Sequence, residues 1–117
     1  MGKLGLVLDC SDPEMLAEFW SAALGWANLG GAGSYVALAD PEGVAPALLL
    51  QKVPEPKSGK NRMHLDIHTP EIEDEATRLE GLGATRLDPE VKCEHGTNWV
   101  LMADPEGNEF CVCDGGI

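Results

Sequence analysis

The stretch Ala39-Asp40-Pro41-Glu42-Gly43 returns letter for letter as Ala103-Asp104-Pro105-Glu106-Gly107. Short apolar runs flank each copy, residues 35–38 and 47–50 around the first, 99–102 and 110–113 around the second. Apolar runs of this length bounded by Asp, Pro and Gly read as strands joined by a turn. A pentapeptide can recur by chance, so the flanks decide. Each turn lies downstream of a strand-then-helix pattern that ends in Leu-Gly, at Leu24-Gly25 and at Leu82-Gly83. The chain therefore reads as two copies of one supersecondary unit.

Upstream of the first turn, Leu4, Leu6, Leu8 and Cys10 alternate with Gly5, Val7 and Asp9, the pattern of a half-buried strand. Ser11-Asp12-Pro13-Glu14 is a helix start: an oxygen-bearing cap, an early proline and an acid near the positive end of the dipole. Met15, Leu16, Phe19, Trp20 and Ala23 then recur at helical spacing, and Gly25 closes the helix. Residues 26–33 are glycine-rich and hold a short strand or turn, so the predicted order is βαβββ.

Residues 53–62, with Pro54, Pro56 and Gly59, form an irregular linker. The second copy opens at Met63 with His64, Asp66 and His68 alternating against Leu65 and Ile67. Thr69-Pro70-Glu71 repeats the helix start, Ile72, Ala76, Leu79 and Leu82 form a thin apolar stripe, and Gly83 ends the helix. A short strand is expected at 84–87, a loop at 88–98, and the last two strands around the second turn. The expected fold class is α+β. One domain spans 1–117, with a first βαβββ module at 1–52, the linker at 53–62 and a second module at 63–117. Each half is too small to hold a core alone.

The net charge of −12 excludes nucleic-acid binding, which needs clustered Lys and Arg against phosphate. No apolar run approaches the roughly 20 residues that span a bilayer, which argues against a membrane protein. Asp9, Asp12 and Glu14 break any signal-peptide pattern, so the expected compartment is the cytoplasm. Half of the basic residues, Lys52, Lys57, Lys60 and Arg62, fall in one connector, where they serve an anionic ligand or the protein's own carboxylates. Of the four cysteines, Cys10, Cys93, Cys111 and Cys113, the last two share a strand face. No CxxC pair marks a structural zinc site, and without an export signal the expected state is reduced thiol.

Each helix must cover one face of its own sheet, which commits the Leu4/Leu6/Leu8 and Leu65/Ile67 sides. The other faces carry Gly5, Val7, Asp9, Gln51, His64, Asp66, Glu109, Cys111 and Cys113, with Trp99 the nearest aromatic. So many polar groups on inner faces call for water, a metal or a ligand. His64 reads as a metal ligand, as a general base oriented by Asp66, or as a hydrogen-bonded structural residue. Asp9 and Asp66 occupy equivalent positions and equally suit holding Lys60 or Arg62.

The two βαβββ copies, the Leu-Gly helix ends and the Asp-Pro-Glu-Gly turns resemble the vicinal oxygen chelate superfamily, the glyoxalase, bleomycin-resistance and extradiol-dioxygenase group. The segments 8–13 through 19–25, Lys60-Asn61-Arg62-Met63-His64-Leu65-Asp66 and Asp104 through Phe110 are most similar to its glyoxalase-like domain branch. The resemblance covers essentially the whole chain. It implies two modules forming a cupped mixed sheet with helices outside, a small-molecule ligand and a homodimer. It also implies a divalent metal, Fe, Mn, Ni or Zn, held by the first and last strands of each module.

Matched position by position, the metal set becomes His64, Gln51 and Cys111, while the remaining opening position is Gly5, which offers no donor. Lactoylglutathione lyase is therefore not the expected activity. The reading is a lyase, isomerase or dioxygenase acting on a small oxygen-bearing anion. His64 and Asp66 are its catalytic pair, and Asp9, Lys60, Arg62, Trp99 and Glu109 its substrate contacts. The alternative is a cofactor-free protein that sequesters its ligand, as bleomycin-resistance proteins do.

Overall fold

The computed structural model describes residues 4–114 of the chain. These divide into two compact units, one running to Lys57 and the other starting at Ser58. In the first, β1 (Leu6–Cys10) leads into α1 (Pro13–Leu24), followed by β2 (Ala27–Ala32), β3 (Tyr35–Ala39) and β4 (Leu48–Lys52). In the second, β5 (Leu65–His68) leads into α2 (Ile72–Gly81) and then β6 (Thr85–Arg86), β7 (Lys92–Glu94), β8 (Thr97–Ala103) and β9 (Glu109–Cys113). The fold is mixed α+β, as expected. Neither helix is long and apolar enough to cross a membrane.

The sheets repeat one plan. The first has the order β1-β4-β3-β2 and the second β5-β9-β8-β6, with β7 added on β8. In both, the opening strand lies parallel to the last one and the remaining pairs are antiparallel. A parallel pair needs a long crossover, and the helix and intervening strands of each unit supply it.

Helix α1 starts where the sequence places it. Asp12 accepts a hydrogen bond from the Met15 N–H at 3.2 Å, Pro13 occupies the first turn, and Gly25 closes the helix in the left-handed region at φ 69°. Its Leu16, Ala17, Trp20 and Ala23 are buried with Val36, Leu38, Leu48 and Leu50 of the sheet. Phe19 meets Trp20 edge-on, ring centroids 5.1 Å apart.

Helix α2 is shorter, and its start differs from the expected repeat. Glu71 stands at the cap position with no capping bond, while the Thr69 hydroxyl accepts from the Glu71 N–H at 3.1 Å. Ile72, Ala76 and Leu79 pack toward Val100, Met102, Phe110 and Val112, all four fully buried. Both terminal nitrogens of Arg86 donate to the Glu73 carboxylate, at 2.7 and 2.9 Å, and tie β6 to the first turn of α2.

The repeated pentapeptides build the same turn. Asp40 accepts from the Glu42 N–H at 2.9 Å and Asp104 from the Glu106 N–H at 2.9 Å. Gly43 and Gly107 each donate back to the carbonyl of the turn aspartate, and both need positive φ, 69° and 85°. The copies then diverge. Asp40 is half-exposed and also accepts from Val44 and Ala45, and these N–H donors, that of Glu42 first, hold its carboxyl below the usual range. Asp104 is buried, with Asn108 folded back onto its carboxylate.

A further expectation changes. Residues 88–98, read as a loop, contain β7, which pairs with the start of β8 so that Glu94 faces Thr97. The intervening His95 and Gly96 both have positive φ, 53° and 77°, as in the type I′ turn that closes two-residue hairpins.

Candidate functional site

Strand alternation sorts the second sheet into two faces. Leu65, Ile67, Phe110, Val112, Val100 and Met102 look toward α2. The opposite face carries Asp66 and His68 from β5, Cys111 and Cys113 from β9, and Thr97 and Trp99 from β8. The parallel register sets Asp66 beside Cys111 and His68 beside Cys113, and Trp99 faces Cys113 across the antiparallel pair. His64, just before β5, continues the row.

These side chains line an open cavity of about 400 Å³, a size suited to a small organic ligand. Trp99 supplies an aromatic wall and Thr97 a hydroxyl, while the two histidines, Asp66 and the two thiols supply polar atoms. His64 Nε2 lies 3.2 Å from Asp66 Oδ1, within hydrogen-bond reach. A carboxylate at that distance fixes the ring orientation and favours the tautomer with its lone pair on Nδ1. Cys113 Sγ is 3.6 Å from His68 Nδ1 and 3.8 Å from the Ile67 carbonyl oxygen.

Burial first, and the Asp66 carboxylate second, push the Cys111 thiol up to about 11, partly offset by Lys60. The Cys113 thiol is raised by the same two causes. Raised in this way, both thiols keep their protons at neutral pH.

Two three-donor sets arise on this face. His64, Asp66 and Cys111 bring ligand atoms within 4.8 Å of one another, and so do Asp66, His68 and Cys113. Donors around a tetrahedral zinc ion sit about 3.3–3.8 Å apart, given bonds of about 2.0–2.3 Å. The 3.2 Å His64–Asp66 separation falls just short of that span, and the donor atoms of all three residues lie within 4.8 Å of one another. One imidazole, one carboxylate and one thiol suit Zn²⁺, Fe²⁺ or Co²⁺ and leave coordination positions for water or substrate. The residues present fit a divalent ion.

The other predicted site residues are not among those lining this cavity. Lys60 Nζ is 3.0 Å from Glu109 Oε1, and the Asn61 N–H donates to the same oxygen at 3.2 Å. Lys60 thus serves the protein's own carboxylate, and Glu109 rather than Asp66 receives it. Arg62 is exposed in the connector. Asp9 and Gln51 belong to the first unit, where they are register partners on β1 and β4, and Gln51 donates to the Tyr35 hydroxyl at 3.5 Å.

Three cavity residues, His68, Thr97 and Cys113, are absent from the predicted site set. The signal was present: His68 continues the period-2 row of His64 and Asp66, and Cys113 that of Cys111.

Comparison with known proteins bears on the whole chain. Residues 5–113 match the family model described as a glyoxalase-like domain. No curated protein matches the sequence. Among solved structures, a glyoxalase/bleomycin resistance protein/dioxygenase family enzyme from Burkholderia phytofirmans superposes with a TM-score of 0.78 at 14% identity, over 93% of this chain and 94% of that one. A glyoxalase-related enzyme from Fulvimarina pelagi gives 0.76 at 20% identity, over 98% and 89%. A fosfomycin resistance protein from Listeria monocytogenes gives 0.78 at 10% identity, over 100% and 95%. At these identities the likeness is one of fold.

Proposed function

The chain belongs to the glyoxalase-like domain family, and from that premise we propose that it binds a small oxygen-bearing anion in the second-unit cavity and converts it with a divalent ion on His64, Asp66 and Cys111. The reaction class is lyase, isomerase or dioxygenase. One observation carries the reading: three donors of different chemistry converge within 4.8 Å at a cavity of about 400 Å³ walled by Trp99.

When bound, the ion would act as a Lewis acid on a substrate oxygen. The rest falls to the chain's own side chains. Cys111 must give up its thiol proton to ligate, so binding releases a proton to solvent. Asp66 orients the His64 ring through Nε2, and the lone pair on Nδ1 would hold the ion or, with no ion bound, can accept a proton from the substrate. Trp99 and the floor of β8 and β9 shield one side of the cavity from water. The substrate's negative charge is met by the ion and the imidazoles, since Lys60 is engaged by Glu109. The same reading takes the protein as a cytoplasmic homodimer, and Val7 and Tyr35, exposed on the first sheet, are side chains such a dimer would cover.

A metal-free sequestering protein is the second reading. It is favoured by the His64–Asp66 contact, which needs no ion to hold it, and by the aromatic wall, which suits a planar ligand.

The test is metal content of tag-free protein, followed by thermal melts with Mn²⁺, Fe²⁺, Ni²⁺ and Zn²⁺ for wild type and His64→Ala. An ion at 100 times its dissociation constant stabilises by about 2.7 kcal/mol, a shift of several degrees. The proposal expects that shift in wild type and a much smaller one in the variant, followed by turnover in a screen of small anionic substrates. No bound metal and equal melts would sink it and leave the sequestering reading.

A further inference from the structure

Proposed chemistry at His64 and Cys111 uses only half of what the face offers. Along β5 and β9 the parallel register repeats: Asp66 stands beside Cys111, and two residues on, His68 stands beside Cys113. The second step has the first step's composition of one imidazole, one thiol and the shared Asp66, with its donor atoms also within 4.8 Å of one another.

We propose that Asp66, His68 and Cys113 form a second metal position beside the first, taking a borderline-soft divalent ion such as Zn²⁺.

The geometry supports coordination over a merely structural contact. The 3.6 Å between Cys113 Sγ and His68 Nδ1 is close to the roughly 3.5 Å that separates a sulfur and a nitrogen bound to one tetrahedral zinc. Cys113 is buried and held on its strand by β8, so its sulfur has little freedom to move, whereas His68 is exposed and can swing to close on an ion arriving from solvent. A thiolate and an imidazole together favour Zn²⁺ or Co²⁺ over Mg²⁺ or Ca²⁺, which prefer all-oxygen sites. Asp66, with two carboxylate oxygens, can give one to each position. Binding exchanges the Cys113 S–H bond for a sulfur–metal bond and releases the proton to solvent; no electron changes hands.

This position stands independently of the proposed function, because the first position can be deleted without touching His68 or Cys113. Cobalt(II) is the probe, titrated into tag-free apoprotein, with zinc stoichiometry measured in parallel by elemental analysis. Wild type is expected to bind two ions per chain. His64→Ala with Cys111→Ser should keep one, with a thiolate-to-cobalt charge-transfer band in the near ultraviolet. Adding Cys113→Ser should abolish that band. His68→Gln alone, at an exposed position that leaves the core untouched, should lower the wild-type stoichiometry from two to one. Far-UV circular dichroism verifies that each variant is folded. A wild-type stoichiometry of one overturns the proposal when that ion is lost in His64→Ala/Cys111→Ser. So does a folded His64→Ala/Cys111→Ser protein with no ion, or His68→Gln binding like wild type. Failure of the first position alone would appear differently, as one ion in wild type that survives His64→Ala/Cys111→Ser and is lost in His68→Gln. That outcome removes the two-ion arrangement and the proposed catalytic ion together, while leaving an ion at Cys113.

Discussion

Lys60 reaches Glu109 with a 3.0 Å contact, and this pair anchors the entry of the second unit to the start of its last strand. Lys60 is largely exposed and Glu109 mostly covered, so the partners are not equivalent. Lys60→Ala should cost under about 1 kcal/mol, the usual worth of an exposed ion pair. Glu109→Ala should cost more, about 1–2 kcal/mol, because the Asn61 N–H also loses its acceptor. Urea unfolding of both variants checks the order; a larger loss for Lys60→Ala would contradict it.

The twin turns make a matched experiment. Asp104→Ala strips the acceptor from the Glu106 and Asn108 N–H groups and from the Asn108 amide inside a buried site. A loss of about 2–3 kcal/mol is expected, and a smaller one for Asp40→Ala, where water can replace the carboxylate. Thermal melts of the two single variants should therefore separate by several degrees.

The helix starts differ in the same way. Asp12→Ala removes a capping bond and should destabilise by about 1 kcal/mol. At Glu71, where no capping bond exists, Glu71→Ser should stabilise by a few tenths to about 1 kcal/mol. Denaturant midpoints of wild type and both variants would show opposite signs.

Alkaline pH should loosen the apoprotein through Cys111. Its folded value of about 11 lies above the ordinary 9.0, so the folded state holds the proton more tightly than the unfolded chain does. Its stabilising contribution is complete below pH 9 and is lost as pH rises toward 11. The whole effect is at most about 3 kcal/mol. Melting temperatures from pH 8 to 10.5 should fall more steeply for wild type than for Cys111→Ala, and parallel profiles would refute the assignment. Because Cys93 is exposed while Cys111 and Cys113 are buried, it should be alkylated well before either of them at neutral pH.

What could be read from the chain follows from how local the signals are. Asp12-Pro13 with Gly25, and the two Asp-Pro-Glu-Gly turns, specify their geometry within a few residues, so α1 and both turns sit where the sequence puts them. Strand alternation likewise placed His64, Asp66 and Cys111 on one face. The His95-Gly96 hairpin was hidden because β7 is three exposed residues with no apolar alternation, and its turn uses His where Asn or Asp is the stronger signal. His68 ends β5. Its approach to Cys113 depends on a pairing across 45 positions that no local pattern encodes. Lys60 posed the opposite problem: its charge was legible, but which carboxylate it would meet depended on the fold.

The parallel pairing of first and last strands also has a temporal side. On a ribosome, β5 emerges early in its unit, yet among the described residues its sole neighbour within the sheet is β9, the last strand of that unit. Until Glu109–Cys113 clears the exit tunnel, Leu65 and Ile67 have no ladder to join, and Asp66 and His68 have no thiols beside them. The cavity is therefore born in a single late step, and a nascent chain stalled before that strand would carry the imidazoles without the sulfurs that complete the donor sets.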